Sequence, residues 1–231
     1  INQEIKIGRD KFYDLLRLHN LLVPKLKNYI TTTNSNHQFR KYKNLIKDQV
    51  PTRPEQLWVS DITYIKTDNG HNYLAIVTDA YSKQIMGYNL DNHMKTSLCT
   101  KALQMAIKNR KYPNQKLIHQ SDRGFQYCNP KYTQFAENNG ITMSMTEQYD
   151  PYENAIAERI NRTLKYEYGL KNCIKNTEIA QKIANQAVYI YNNLRTHFSL
   201  DLRKPAEVHL NPNIKYKSYR KNKLNLTELK I

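Results

Sequence analysis

Cysteine is scarce in this chain, long apolar runs are missing, and acidic side chains are outnumbered. The three cysteines, Cys99, Cys128 and Cys173, are widely spaced and never form a C-x-x-C pair, which argues against a disulfide framework or zinc knuckle and fits a reducing cytoplasm. No apolar stretch approaches the roughly 18–20 residues that span a bilayer. No signal-peptide pattern opens the chain either, so a soluble, cytoplasmic protein with no membrane role is expected. Ile1 stands where a Met would begin a complete chain, so a preceding segment is expected. Asp and Glu number 20 against 36 Lys and Arg, a formal charge of +16 that favours an extended polyanion over a small neutral substrate. A ribosomal or merely soluble basic protein would share that charge.

At 231 residues there is room for one sizeable domain and a small appendage. Phe12, Leu15, Leu16, Leu18 and Leu22 recur at helical spacing over residues 10–22, and Pro24 ends the run. The stretch from Thr31 to Pro54 is polar and basic, as expected of a linker lying against DNA, and a domain boundary is placed near Arg53. The expected division is 1–53 as a helical, helix-turn-helix-like segment with a basic linker, 54–212 as the main core and 213–231 as a basic tail.

Within the core, Leu57, Val59, Thr63 and Ile65 alternate with Trp58, Ser60, Ile62 and Tyr64 in a strand-like run. The D-N-G turn at Asp68 to Gly70 and the apolar Tyr73 to Thr78 complete a hairpin signal. Strands are read at Ile85 to Leu90, Leu117 to Gln120 and Ile141 to Met145; helices at Thr96 to Asn109, Pro130 to Asn139, Pro151 to Leu170 and Glu178 to Asn193. Strands alternating with helices predict a mixed α/β sheet covered on both faces, and no internal repeat interrupts it.

Three acids stand out. Asp61 sits inside a strand, on the face of Val59 and Thr63, where Asp is generally avoided. Asp122 follows a short strand in the run SDRG, where Gly124 permits a sharp turn; an ordinary turn-forming Asp is the alternative. Glu158 lies on the helix opened by Asp150-Pro151, with Ile156, Ile160 and Leu164 on an apolar stripe and Asn154, Glu158, Asn161, Arg162 and Lys165 on a polar one. A surface ion pair with Arg162, four residues on, would equally account for Glu158. If the three converge, two carboxylates about 5 Å apart repel by roughly 3 kcal/mol at an effective dielectric near 20, and a divalent cation is the economical compensation. All-oxygen ligands favour Mg²⁺ or Mn²⁺, and a pair of ions is a known clamp for in-line phosphoryl transfer.

At these residues the sequence resembles the second-reading-frame transposases of the insertion-sequence-three family, whose core is similar to retroviral integrase. The segments QLWVSDITYI, HQSDRGFQY, YDPYENAIAERINRTLKYE and YNNLRTHFSLDLRKPAEVH carry the match over about residues 55–210, with thirty-five residues between Asp122 and Glu158 and with Lys165 seven positions after Glu158. The resemblance implies a ribonuclease-H-like fold of five strands, the first three antiparallel, with helices on both faces. It implies Asp61, Asp122 and Glu158 as catalytic metal ligands for a pair of Mg²⁺ or Mn²⁺ ions in the cleavage and joining of DNA at the ends of a bacterial insertion sequence. Lys165 is expected to hold a terminal DNA phosphate. Arg162, Asn154, Arg195 and the tail residues Lys215, Lys217, Arg220 and Lys221 are the further expected DNA contacts, and Tyr191, Asn193, Arg195 and His197 match a downstream motif expected to pack on the core and to touch DNA, with packing alone an equal reading for Tyr191. The implied partners are DNA, as terminal inverted repeats and target, further copies of the chain, and a first-frame product. Asp79 and His119 are read as structural, and no zinc module of the retroviral type has a counterpart, since His19 and His37 lack a nearby C-x-x-C. A DNA-binding regulator that occupies element ends without cutting them is the competing reading.

Overall fold

The computed structural model describes residues 7–22, 37–47, 49–147, 154–211 and 213, together with the strand Leu224–Asn225. Contacts divide the chain between Thr32 and Thr33, upstream of the boundary expected near Arg53. The first unit contributes α1 (Arg9–Leu18), shorter than the apolar spacing over 10–22 predicts. His19 caps it, and Asn20 takes a left-handed φ of 53°, a conformation that leaves the helix. None of its described residues is buried, and Phe12, Leu15 and Leu18 stay exposed.

In the second unit a five-stranded sheet runs in the order β4-β3-β2-β5-β6, with β2 at Leu57–Thr67, β3 at Gly70–Asp79, β4 at Ile85–Asp91, β5 at Leu117–Ser121 and β6 at Ile141–Met145. The first three of these strands pair antiparallel, while β5 joins β2, and β6 joins β5, in parallel. Gly70, at φ 113°, supplies the backbone that the tight turn between β2 and β3 requires and that a side chain would strain. A separate two-stranded parallel pairing joins β1 (Gln49–Val50) to β7 (Leu224–Asn225).

Alternation along the strands sends side chains to two cores. Trp58, Ala75, Val77, Leu117 and Met143 pack with α2 (Thr96–Lys108), α3 (Phe125–Cys128) and α4 (Pro130–Asn138) on one face. Ile65, Leu74 and Ile76 meet α5 (Ala155–Glu167) and α6 (Thr177–Asn193) on the other. Helix α2 rests directly on β4: a Cβ at Gly87 would fall 2.1 Å from the Ala102 carbonyl oxygen. Residues 43–45 lie along β6, where the Met145 amide donates to the Lys43 carbonyl at 3.4 Å and the Leu45 amide to Ser144 Oγ at 2.9 Å. An otherwise open sheet edge is thereby blunted.

A buried charged network locks the start of β2 to the end of β3 and to α7 (Pro205–Leu210). Glu55, fully buried, accepts from Arg110 Nε at 3.0 Å, from the Lys111 amide at 2.6 Å and from His209 Nε2 at 3.3 Å. Asp79 accepts from the Glu55 amide and from Ser82 Oγ, both at 2.7 Å, and Ser82 Oγ stands 3.0 Å from His209 Nδ1. Asp79 is therefore engaged in structure, as its place at the strand end led one to expect.

Candidate active site

Strand register sets the first two acids side by side. The last residue pair between β2 and β5 is Val59 with Gln120, and Asp61 and Asp122 each lie two residues beyond it. There β5 ends and the chain turns: the Gly124 amide donates to Asp122 Oδ1 at 3.0 Å, and a Cβ on Gly124 would stand 2.9 Å from that oxygen. A side chain at 124 would push the Asp122 carboxylate from this position. Asp61 lies on the sheet face covered by α5, partly buried, with the Ile62 amide on Oδ1 at 2.9 Å.

Helix α5 brings the third acid. Ala157, Ile160 and Leu164 bury its apolar side, and Ile156 is partly buried with them. The same helix is pinned to β2 by two asparagines: Asn154 Nδ2 donates to the Ser60 carbonyl at 3.1 Å, and Asn161 Nδ2 donates to Asp61 Oδ2 at 2.8 Å. Glu158, one turn before Asn161, is exposed but close enough that its charge acts on Asp61.

Burial, then the negative charge of Asp122 and last that of Glu158, push the Asp61 carboxyl up to about 7, against the lowering effect of its two hydrogen bonds. Burial also raises the Glu158 carboxyl. Lys165, two turns beyond Glu158, lies with Nζ 4.3 Å from the Tyr64 ring centre; burial lowers its ammonium and the charge of Asp61 raises it. Convergence is thus electrostatic before it is coordinative. Among the described residues no three His, Cys, Asp or Glu side chains are grouped so as to hold a metal ion, so the expected closure of all three acids around shared cations is not made as they stand.

Residues 51–151 match the integrase core domain family, and residues 139–205 match a second integrase core domain family. Among solved structures, a chain of the simian T-cell lymphotropic virus intasome, solved in complex with PP2A regulatory subunit B56 gamma, superposes with a TM-score of 0.61 at 19% identity, over 82% of this chain and 65% of that one. The HTLV-2 integrase catalytic core, solved with magnesium, superposes at 0.51 and 18% identity over 68% of this chain and 97% of its own. Identities this low speak to the fold, which is ribonuclease-H-like. In sequence, the chain is 36% identical over 204 residues to the 31 kDa protein of insertion element IS600 from Shigella sonnei, covering 87% of this chain and 75% of that one. It is also 35% identical over 151 residues to the InsF transposase of insertion sequence IS3A from Escherichia coli K12, over 64% of this chain.

The chain belongs to the IS3-family transposases.

It spans half the length of that InsF protein, against three quarters of the IS600 protein. Two of the expected DNA contacts are engaged within the fold. Asn154 is buried and committed to the Ser60 carbonyl, so it anchors α5 and does not face a ligand in solvent. Arg195 grips Glu167 with two hydrogen bonds, at 2.7 and 2.9 Å, because that planar carboxylate matches its guanidinium fork. Arg162 is exposed, and no ion pair joins it to Glu158 among the described residues. Lys215, Lys217, Arg220 and Lys221 lie outside the described residues, as does the expected Asp150-Pro151 cap.

Of the downstream motif, Tyr191 and His197 pack together. Tyr191 is fully buried with its ring edge-on to His197, centroids 4.9 Å apart, and Asn193 Nδ2 donates to the Tyr189 carbonyl at 2.9 Å. His119, also fully buried, places Nε2 at 3.0 Å from Ser60 Oγ and 2.9 Å from the Tyr132 hydroxyl, and burial lowers it to about 4, so it is a neutral prop behind the acids.

Asn161, on the polar stripe of its helix, is a residue of the site that the sequence does not single out. It is 6% exposed and holds Asp61. Its spacing of three from Glu158 was the available signal, since that offset puts both on one side of a helix.

Proposed function

We propose that Asp61, Asp122 and Glu158 together carry metal-dependent cleavage of DNA at an element end, followed by transfer of the freed 3′-hydroxyl to a second phosphodiester. The observation that carries this reading is the state of Asp61: a carboxylate set in a strand, held by Asn161, and raised to about 7 by burial and by two further acids. That environment fits a hard cation, which would restore the deprotonated form. Asp61 and Asp122 are the residues proposed to hold it first, with substrate phosphate completing the oxygen set, since magnesium commonly binds through one or two carboxylates plus phosphate. When bound, Mg²⁺ or Mn²⁺, proposed as a pair, would supply activation of the attacking oxygen and charge neutralisation at the leaving oxygen.

The protein's own groups have distinct tasks. Asn161 fixes the rotation of the Asp61 carboxylate. Gly124 does the same for Asp122 through its amide. Glu158, exposed on α5, joins the other two acids when substrate brings phosphate into the cleft. Lys165, braced on Tyr64, presents a positive charge beside the acids, suited to a phosphate at the DNA end. Arg162 is proposed as a second phosphate contact from the same helix. The proposed substrates are the element's terminal inverted repeats and a target duplex, engaged by more than one copy of the chain, with a first-frame product as a further partner.

The test is a nicking and joining assay on end-labelled duplex carrying an element end, in Mn²⁺ and in chelator, with DNA binding followed separately by anisotropy in Ca²⁺. Metal-dependent nicked and joined products that vanish in Asp61→Asn and Asp122→Asn, at unchanged binding, are expected. Binding without any product from the unaltered chain would instead favour a non-cutting occupant of element ends.

A further inference from the structure

Phe125 opens α3 only three residues after Asp122, yet its ring is 42% exposed. The loop could bury it; instead the ring is backed from one side. The Phe39 ring lies 5.0 Å away and tilted by 47°, the His37 ring lies 6.1 Å away and edge-on at 81°, and His37 and Phe39 are 5.5 Å apart. These two residues come from the segment ahead of the core, and that segment is fastened here: His37 Nε2 is 2.9 Å from the Arg123 carbonyl, which can only accept. Nε2 therefore carries the proton, and in the neutral ring Nδ1 is left as an acceptor.

That Nδ1 is shielded from water and has no hydrogen-bond partner, and neither has Arg123 Nε, a donor. Unsatisfied groups of this kind ask for an explanation, and a polar ligand edge brought to either atom would supply one. The same segment exposes Arg40, Lys41 and Lys43. An exposed ring, polar atoms awaiting partners and a run of cations are the components of a single-stranded nucleic acid site, where bases stack and the backbone is tracked by charge. A purely apolar protein partner would use the ring and leave the His37 and Arg123 atoms unanswered.

We propose that His37, Phe39 and Phe125 form a platform on which an unpaired nucleobase of the DNA stacks beside Asp122. The subsite is built jointly by the segment ahead of the core and by the loop carrying the second acid, and it rests on the DNA-cutting reading above. Phe125 provides the stacking surface and the other two rings hold it in place. Arg40, Lys41 and Lys43, exposed on the same segment, follow the phosphates of that strand, and a small shift of the His37 or Arg123 side chain opens its unpartnered atom to the edge of the base. Because bases within a duplex stack on one another, the platform takes a nucleotide already splayed from its partner, and it thereby favours frayed or unpaired ends near the cutting site.

The experiment uses the full chain in Ca²⁺, which removes chemistry from the readout, and a duplex ending in a three-nucleotide single-stranded tail that carries 2-aminopurine. Binding of the unaltered chain is expected to quench the tail fluorophore several-fold. Phe125→Ala is expected to abolish the quench and weaken binding of tailed DNA about tenfold, with blunt duplex bound as before. Phe125→Trp should retain both quench and affinity, and circular dichroism checks that each variant is folded. Equal quenching by the unaltered chain and Phe125→Ala, or equal loss on tailed and blunt DNA, would overturn the platform. So would a change in sedimentation with no change in quench, which would mark the ring as a protein contact. Failure of the cutting reading would appear elsewhere, as absence of products in Mn²⁺ with the quench intact.

Discussion

At the scale of single residues, Asp61 is the informative one. Its carboxyl is raised in the fold above the ordinary value of 3.8, to about 7, so the folded chain binds an extra proton between those values. Stability contributed by the protonated form is lost as pH rises from about 4 through about 7, and above that the bare carboxylate is a burden. Asp61→Asn removes the charge at nearly constant shape. Asn161 can rotate its amide to suit, because its Oδ1 has no partner in the present arrangement. The substitution is expected to raise the metal-free Tm at pH 7.5 by roughly 2–4 °C, corresponding to about 1 kcal/mol, and to erase the Tm increase that Mn²⁺ gives the unaltered chain. A lower metal-free Tm, or an undiminished response to Mn²⁺, would remove Asp61 from the metal site. Lys165→Ala is expected to weaken capture of a cleaved DNA end more than binding of plain duplex; equal loss in a competition titration would make it a generic phosphate contact. Asp61 was legible in the sequence because strands avoid Asp. Asn161 was not, because a polar helical residue reads the same whether it meets solvent or a buried carboxylate.

At the scale of elements, the short parallel strands were the easiest to read. Short apolar runs bounded by turn residues gave β5 and β6 nearly at their observed limits, and the Asn129-Pro130 start of α4 is marked by the Asn129 side chain capping the Lys131 amide at 3.0 Å. Register between β2 and β5, which brings Asp61 beside Asp122, is a tertiary outcome that no local pattern states. Helix α1 ends sooner than its apolar spacing suggests, since spacing records what a helix could bury and not where the backbone leaves it. The packing of α2 on β4 gives a sharp test. Gly87→Ala would drive a Cβ to 2.1 Å from the Ala102 oxygen and 2.5 Å from the Ala106 nitrogen, both of them backbone atoms. A loss of about 3 kcal/mol in chemical denaturation is expected, at the upper end of overpacking costs. A loss below about 0.5 kcal/mol would mean that helix and strand are not held this closely in solution.

At the scale of the whole molecule, two kinds of charge operate. The surplus of +16 is a surface property, and it predicts DNA binding that weakens steeply with salt, with a log-log slope near −0.9 for each phosphate contacted. A flat salt response in an anisotropy titration would refute an electrostatic interface. The buried network around Glu55 acts on the fold. Burial alone would lower His209, but hydrogen bonds and charge from Asp79 and Glu55 outweigh it and hold the imidazole at about 9. Its contribution is complete below the unfolded value near 6.5 and is lost as pH rises through about 9. His209→Gln is accordingly expected to cost roughly 2 kcal/mol at pH 7 and to flatten the decline in stability between pH 7 and 10. An unchanged slope in denaturation across that range would contradict the ion pairing. The sequence displayed the surface charge as a simple count, but this network joins positions from 55 to 209 that only the fold assembles.

The central claim bears hardest on Glu158, which is exposed on α5 and is not grouped with the other acids to hold an ion. Strand transfer by Glu158→Gln, measured in Mn²⁺ on pre-cleaved element-end duplex and compared with the unaltered chain at equal DNA occupancy, is the most direct measurement. A fall of about a thousandfold or more, with binding and Tm unchanged, is predicted. Strand transfer within tenfold of the unaltered chain would mean that Asp61 and Asp122 act without a third acid, and the three-carboxylate account would be wrong.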